Sequence, residues 1–168
     1  MYHLYGGREN HGLDWIRASA SMPLVSQIVE IEGQKLLDGG ISDSIPVRFF
    51  ESTGYDRNVV ILTQPKGYVK KKNPMMPLMK LRYPKYEGLL QTMANRHIEY
   101  NKTLSYIERR EAAGELLVIR PDQPLNISKA EKNPEQLKRV YEIGRRVAAR
   151  RIIDIENYLF EEVHHEKT

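Results

Sequence analysis

Gln34-Lys35-Leu36-Leu37-Asp38-Gly39-Gly40-Ile41-Ser42-Asp43-Ser44-Ile45-Pro46-Val47 is the stretch that decides how this chain folds. The short apolar run Lys35, Leu36, Leu37 predicts a strand that ends on one acidic residue, Asp38, and two glycines and the start of a helix follow at once. Gly39 and Gly40 can take positive φ and let a ligand or another backbone approach closely, so Asp38 would be presented at the rim of a sheet on a sharply turning main chain. Ligands of open α/β sheets bind at such carboxyl-terminal strand ends. The plainer alternative is an aspartate that only caps its own turn by accepting backbone hydrogen bonds.

Working outward, Leu13 to Pro23 is a helical run of small residues stopped by Pro23, and Val29 to Leu37 has a hairpin pattern centred on Gly33. After the D-G-G turn, Ser44 is the expected N-cap of a helix with Pro46 in its first turn, and Gly54 sits where a left-handed C-terminal residue belongs. Asn58 to Thr63 reads as a strand buried on both faces, since its apolar run is unbroken and rich in β-branched residues. Glu115 to Arg120 repeats that signature after a second helical segment. The order hairpin, helix, strand, helices, strand, helix predicts an α/β fold with a largely parallel sheet and flanking helices.

The longest predicted helix, from about Tyr86 to Ala113, carries Tyr86, Leu90, Met93, His97, Tyr100, Leu104 and Ile107 on one face. His97 on that stripe reads as a packed helix histidine rather than a base or metal ligand. A last helix has Asn133 as N-cap, Pro134 in its first turn and Gln136 completing a capping-box variant. Its predicted stripe is Tyr141, Gly144, Ala148, Ile152, Ile155 and Leu159, with the two small residues allowing close approach of a neighbour. Arg145, Arg146, Arg150 and Arg151 lie between them, with Glu142 and Asp154 spaced for ion pairs with Arg146 and Arg150. This is the pattern of a solvated face, not of a nucleic-acid surface. The charged tail from Glu161 to Thr168, with His164 and His165, predicts fraying.

Between the halves lies an irregular, proline-broken stretch, Gln64 to Pro84, holding Lys70, Lys71, Lys72, Met75, Met76, Leu78 and Met79. It reads as a loop with a short helix packed on the core, or as a flap that meets lipid, lysines toward anionic headgroups and methionines toward acyl chains.

Composition limits the function classes. The chain has 168 residues, 40% of them apolar, a formal net charge of +4 and no cysteine. Thiol catalysis and disulfides are excluded, and a reducing compartment is favoured. No apolar leader and no run of about 18 apolar residues occurs, so the expected location is cytoplasmic, with at most peripheral contact with an anionic membrane.

Ala18-Ser19-Ala20-Ser21-Met22-Pro23, a hairpin, and then L-D-G-G-I-S-D-S-I-P-V together resemble the C-terminal half of a bacterial patatin-like phospholipase. The resemblance implies a partial patatin-like α/β fold and a lipid or other acyl ester as substrate, with no cofactor and no metal. It implies a Ser-Asp dyad in which Asp38 is the aspartate and Gly39 and Gly40 complete the turn. No histidine is needed in such a dyad, and none lies near the D-G-G motif here. The family's G-x-S-x-G nucleophile and its D-G-G-G-x-R-G oxyanion loop are both missing: Gly40-Ile41-Ser42-Asp43-Ser44 lacks the closing glycine, and Gly6-Gly7-Arg8 lacks the leading aspartate.

The expectation is therefore a fragment of one hydrolase domain, with residues 1–64 as the aspartate region, 65–85 as the flap or loop, and 86–168 completing the domain. Met1 to Gly7 would close a strand begun earlier. Such a fragment would be inactive alone and would pair with its missing N-terminal half or with itself through an open sheet edge. The second reading is a non-catalytic interaction module that keeps D-G-G only as a turn.

Overall fold

The computed structural model of the chain describes residues 12–128 and 130–160. In chain order the elements are α1 (Gly12–Ser19), β1 (Val29–Ile31), β2 (Gln34–Leu36), a 3-10 turn (Gly39–Ile41), α2 (Val47–Ser52), β3 (Asn58–Ile61), α3 (Met76–Arg82), α4 (Glu87–Ala112), β4 (Leu116–Ile119), α5 (Pro134–Arg150) and α6 (Ile152–Phe160). This is a mixed α/β structure with two small sheets and flanking helices. The expectations for Met1 to Gly7, for Gly6-Gly7-Arg8 and for Glu161 to Thr168 lie outside the described residues. Two compact units divide the chain: one runs to Ile45 and takes up Lys70–Asn101, and the other holds Pro46–Val69 and the chain from Lys102.

In the first unit, β1 and β2 form an antiparallel hairpin with Val29 opposite Leu36 and Ile31 opposite Gln34. Glu32 and Gly33, at φ 51° and 73°, make the two-residue turn. Positive φ at both turn positions matches the right-handed twist of the flanking strands. Val29 and Ile31 point inward with Ala18 of α1, and Trp15 and Leu36 close over them, while Glu30 faces water. A second cluster gathers Met79, Tyr83 and Met93, with Leu24, Ile28, Ile41 and Met76 packed against it. Its anchor is polar as well as apolar: the Leu24 N–H donates to the Tyr83 hydroxyl at 3.0 Å, and Leu24 sits at φ 68°, a conformation that costs a Cβ-bearing residue ~1 kcal/mol or more. The stretch expected as a loop or flap thus places Met79 and Tyr83 in the core.

In the second unit, β3 and β4 run parallel, Asn58 opposite Leu116 and Ile61 opposite Ile119, and the ladder continues through Leu62 N–H to the Ile119 carbonyl at 2.8 Å. Among the described residues the parallel part of the expected sheet is this one pair, and the expected hairpin forms a separate sheet. All four residues of β4 are buried. β3 departs from the expected two-sided burial: Val60 and Leu62 are buried but Ile61 is 74% exposed. Tyr158 of α6 ties the two strands together at their start, accepting from Asn58 N–H and donating to the Glu115 carbonyl at 2.8 Å.

The helices correct several details. Pro46, with no side-chain cap, stands at the N-cap of α2 in place of Ser44, because the Ser44 hydroxyl is engaged elsewhere. Asn133 caps α5 by accepting from Glu135 N–H at 2.9 Å and Gln136 N–H at 3.4 Å, but the Gln136 side chain accepts from Arg139 Nε and does not reach back. The expected last helix breaks at Arg151 into α5 and α6. Its inward face is Val140, Ile143 and Val147, one residue out of step with the expected stripe; Tyr141 is 61% exposed, and nothing lies within 4 Å of a Cβ placed on Gly144. The ion pairs shift too, Arg150 to Asp122 at 2.8 Å and Arg151 to Asp154 at 2.8 Å, while Arg146 donates to the Glu142 carbonyl.

Candidate active-site turn

Asp38 directly follows β2 and forms the N-cap of the 3-10 turn. Its Oδ1 accepts the Gly40 N–H at 2.7 Å, and its carbonyl accepts the Ile41 N–H at 3.1 Å. Asp38 is half-buried, and among the described residues its second carboxylate oxygen accepts no hydrogen bond. One oxygen holds the turn and the other takes no part in it.

Neither Gly39 nor Gly40 uses the positive φ open to glycine. Both lie in the 3-10 turn, whose backbone is right-handed, and the need for glycine is one of space at a single position. A Cβ on Gly40 would stand 3.1 Å from Asp38 Oδ1 and 3.7 Å from Arg96 Nη2, whereas a Cβ on Gly39 would meet nothing within 4 Å.

Arg96 of α4, which the sequence reading passed over, braces this turn. Its Nε donates to the Gly40 carbonyl at 2.7 Å and its Nη2 to the Ser44 hydroxyl at 2.9 Å, while Ser44 donates to the same carbonyl at 2.7 Å. The guanidinium, the hydroxyl and the carbonyl therefore close a ring, charge-assisted on the arginine side. A signal for it exists in the sequence: Arg96 stands three residues after Met93 and four before Tyr100, so it shares their side of α4.

The A-S-A-S-M-P segment earns its place beside D-G-G through the main chain. Asp38 N–H donates to the Ser21 carbonyl at 2.9 Å, and the buried Ser21 hydroxyl donates to the Arg17 carbonyl at 2.7 Å. Any change that moves residue 21 moves the base of the aspartate. The hydroxyls of Ser21, Ser42 and Ser44 all donate to backbone carbonyls, so none of the three is directed at Asp38. His97 is half-buried, its Nδ1 without a hydrogen-bond partner among the described residues. No set of His, Asp or Glu able to hold a metal ion occurs among the described residues, and no helix there is long and apolar enough to cross a membrane.

Residues 8–50 match the family model described as Patatin-like phospholipase. The match takes in α1, the hairpin, Asp38 and the turn, and ends within α2. It covers the N-terminal part of this chain and does not extend over the rest of the single domain expected for residues 1–168. Residues 86–160 match a second family model, described as Domain of unknown function (DUF6363). The chain is 29% identical over 140 residues to Uncharacterized protein YjjU of Escherichia coli (strain K12), an overlap of 79% of this chain and 38% of that protein. The chain thus spans well under half the length of this curated relative.

Proposed function

We propose that this chain carries the aspartate of a Ser-Asp acyl-ester hydrolase, with Asp38 as the general base and the nucleophilic serine and oxyanion donors supplied by a segment outside this sequence. The observation that carries the reading is the Asp38 carboxylate, pinned by one oxygen and open at the other, inside the segment matched by the patatin-like model. The relative is longer than this chain, which covers 38% of it, and so leaves room for such a segment. In the reaction, the serine hydroxyl adds to the ester carbonyl carbon as its proton passes to Asp38, which returns that proton to the departing alkoxide. Water then attacks the acyl-enzyme, Asp38 takes its proton and restores it to the serine. Arg96 acts as a positioning residue, holding the turn and not the reacting atoms.

A non-catalytic module is favoured by one observation, that Asp38 Oδ1 caps the turn. Asparagine caps as well as aspartate, so Asp38→Asn separates the two roles. The experiment is p-nitrophenyl ester hydrolysis by the product of the full open reading frame that contains this chain. Loss of about two to four orders of magnitude in rate on Asp38→Asn, with the fold intact by circular dichroism, is the expected result. Near-normal rates in that variant, or no turnover by the wild type, would leave D-G-G as a structural turn. The 168-residue chain alone is expected to hydrolyse nothing.

A further inference from the structure

We infer that α3 is a foot that docks the protein on an anionic lipid surface. Successive residues of a helix turn by about 100°, and in α3 this separates two apolar faces. Met76, Met79 and Tyr83 face the core cluster. Leu78 and Leu81 stand on the opposite side, 44% and 78% exposed, and Met75 at the helix start is 45% exposed. Lys80 and Arg82 fall on the two borders between these faces, both exposed. A helix that is apolar on its outer side and basic along both borders suits the headgroup boundary, where apolar tips enter and long cationic side chains reach outward to phosphates.

The charge around it points to the same occupant. From Lys70 to Tyr86 the chain carries Lys70, Lys71, Lys72, Lys80, Arg82 and Lys85 with no Asp or Glu, more positive charge than the +4 of the whole chain. Lys70 lies over the Tyr100 ring at 4.6 Å, and the other five are exposed. A protein partner is the poorer fit. Three side chains on a short helix fall far below the ~800 Å² per partner of a stable protein interface, and five exposed cations would each need an acid opposite. A bilayer with anionic headgroups offers both kinds of contact at once. The foot also shares its core with the candidate site, since Ile41 of the D-G-G turn packs on the Met79–Tyr83 cluster. The sequence reading placed Met76 among the lipid-facing residues; the structure turns Met76 inward and puts Leu81 in that role.

The test is sedimentation of the 168-residue chain with vesicles of phosphatidylcholine alone and of phosphatidylcholine mixed with phosphatidylglycerol. Wild type should pellet with the mixed vesicles only, and less as salt rises. Leu78→Ser with Leu81→Ser should bind the mixed vesicles about tenfold more weakly, and Lys80→Ala or Arg82→Ala about fivefold more weakly each. All four sites are exposed, so the fold should survive. Leu137→Ser on α5, where the leucine is 48% exposed, should bind like wild type. Absence of wild-type binding, equal binding by the double-serine variant, or an equal loss in Leu137→Ser would overturn the inference. Binding is read without turnover, so this outcome is independent of the ester assay.

Discussion

The Arg96 side chain holds the Gly40 carbonyl at 2.7 Å, although 56 residues separate the two in sequence. The same guanidinium reaches the Ser44 hydroxyl at 2.9 Å and makes no bond to Asp38 among the described residues. The turn that carries the aspartate is thereby fixed from α4, while the carboxylate itself keeps one oxygen open.

Removing that brace should loosen the turn. Hydrogen bonds to a charged group contribute ~1.5–3 kcal/mol, so Arg96→Ala should lower stability by about that much in urea titrations. Arg96→Lys should recover only part of it, because a single ammonium cannot reproduce the planar fork that spans a carbonyl and a hydroxyl. Stability of the alanine variant within about 0.5 kcal/mol of wild type would mean that the turn supports itself.

The two glycines should respond differently. Gly39→Ala meets open space and needs no left-handed backbone, so it should be neutral or stabilising by up to ~1 kcal/mol through the unfolded chain. Gly40→Ala brings a Cβ within 3.1 Å of Asp38 Oδ1, so the carboxylate must shift by a few tenths of an ångström and strain the 2.7 Å bond from the Gly40 N–H, at a cost of ~1 kcal/mol or more. Denaturation midpoints of the two variants check this, and equal effects would contradict the packing around the carboxylate.

Much of this was legible because it is local. The hairpin around Gly33, the D-G-G turn after a strand, the Asn133 cap and the stripe of Met93, Leu104 and Ile107 all follow from neighbours in sequence. What escaped depends on partners far along the chain. Arg96 looks like any helix arginine until Gly40 is beside it, and Tyr83 looks like a loop aromatic until the Leu24 N–H meets it. The α5 stripe was misread because Tyr141 and Val140 both begin a three-and-four spacing, and only packing decides which of the two faces inward. Ile61 was expected to be covered because an apolar run shows that a strand can be buried, not how many neighbours it has.

Alkaline pH should expose a contact in the second unit. The Tyr106 hydroxyl donates to Glu51 Oε2 at 2.5 Å, and this bond, with burial and the Glu51 charge, holds the Tyr106 pKa above its ordinary value against the opposing pull of Arg110 and Arg48. The proton is therefore bound more tightly in the folded chain than in the unfolded one. The stabilisation is fully present below the unfolded tyrosine pKa of about 10 and is lost as pH rises through the higher folded value. Tyr106→Phe should be less stable near neutrality and should lose less stability between about pH 9 and 11. Parallel alkaline slopes for the two proteins in denaturant titrations would sink the assignment.

Self-association should run through β3. The strand pairs with β4 on one side, no strand among the described residues pairs with its other side, and Ile61 is 74% exposed upon it. An open strand edge beside an exposed β-branched residue is a template for a second strand. At micromolar concentration the 168-residue chain should therefore elute as a dimer or larger species. Ile61→Lys should shift it toward monomer, because a charge on an edge strand opposes pairing, while costing the fold no more than ~1 kcal/mol at an exposed position. Light scattering coupled to size exclusion gives the mass of both. A wild-type monomer that melts cooperatively would show that the β3 edge does not drive association, and an Ile61→Lys variant that stays dimeric would move the contact elsewhere on the chain.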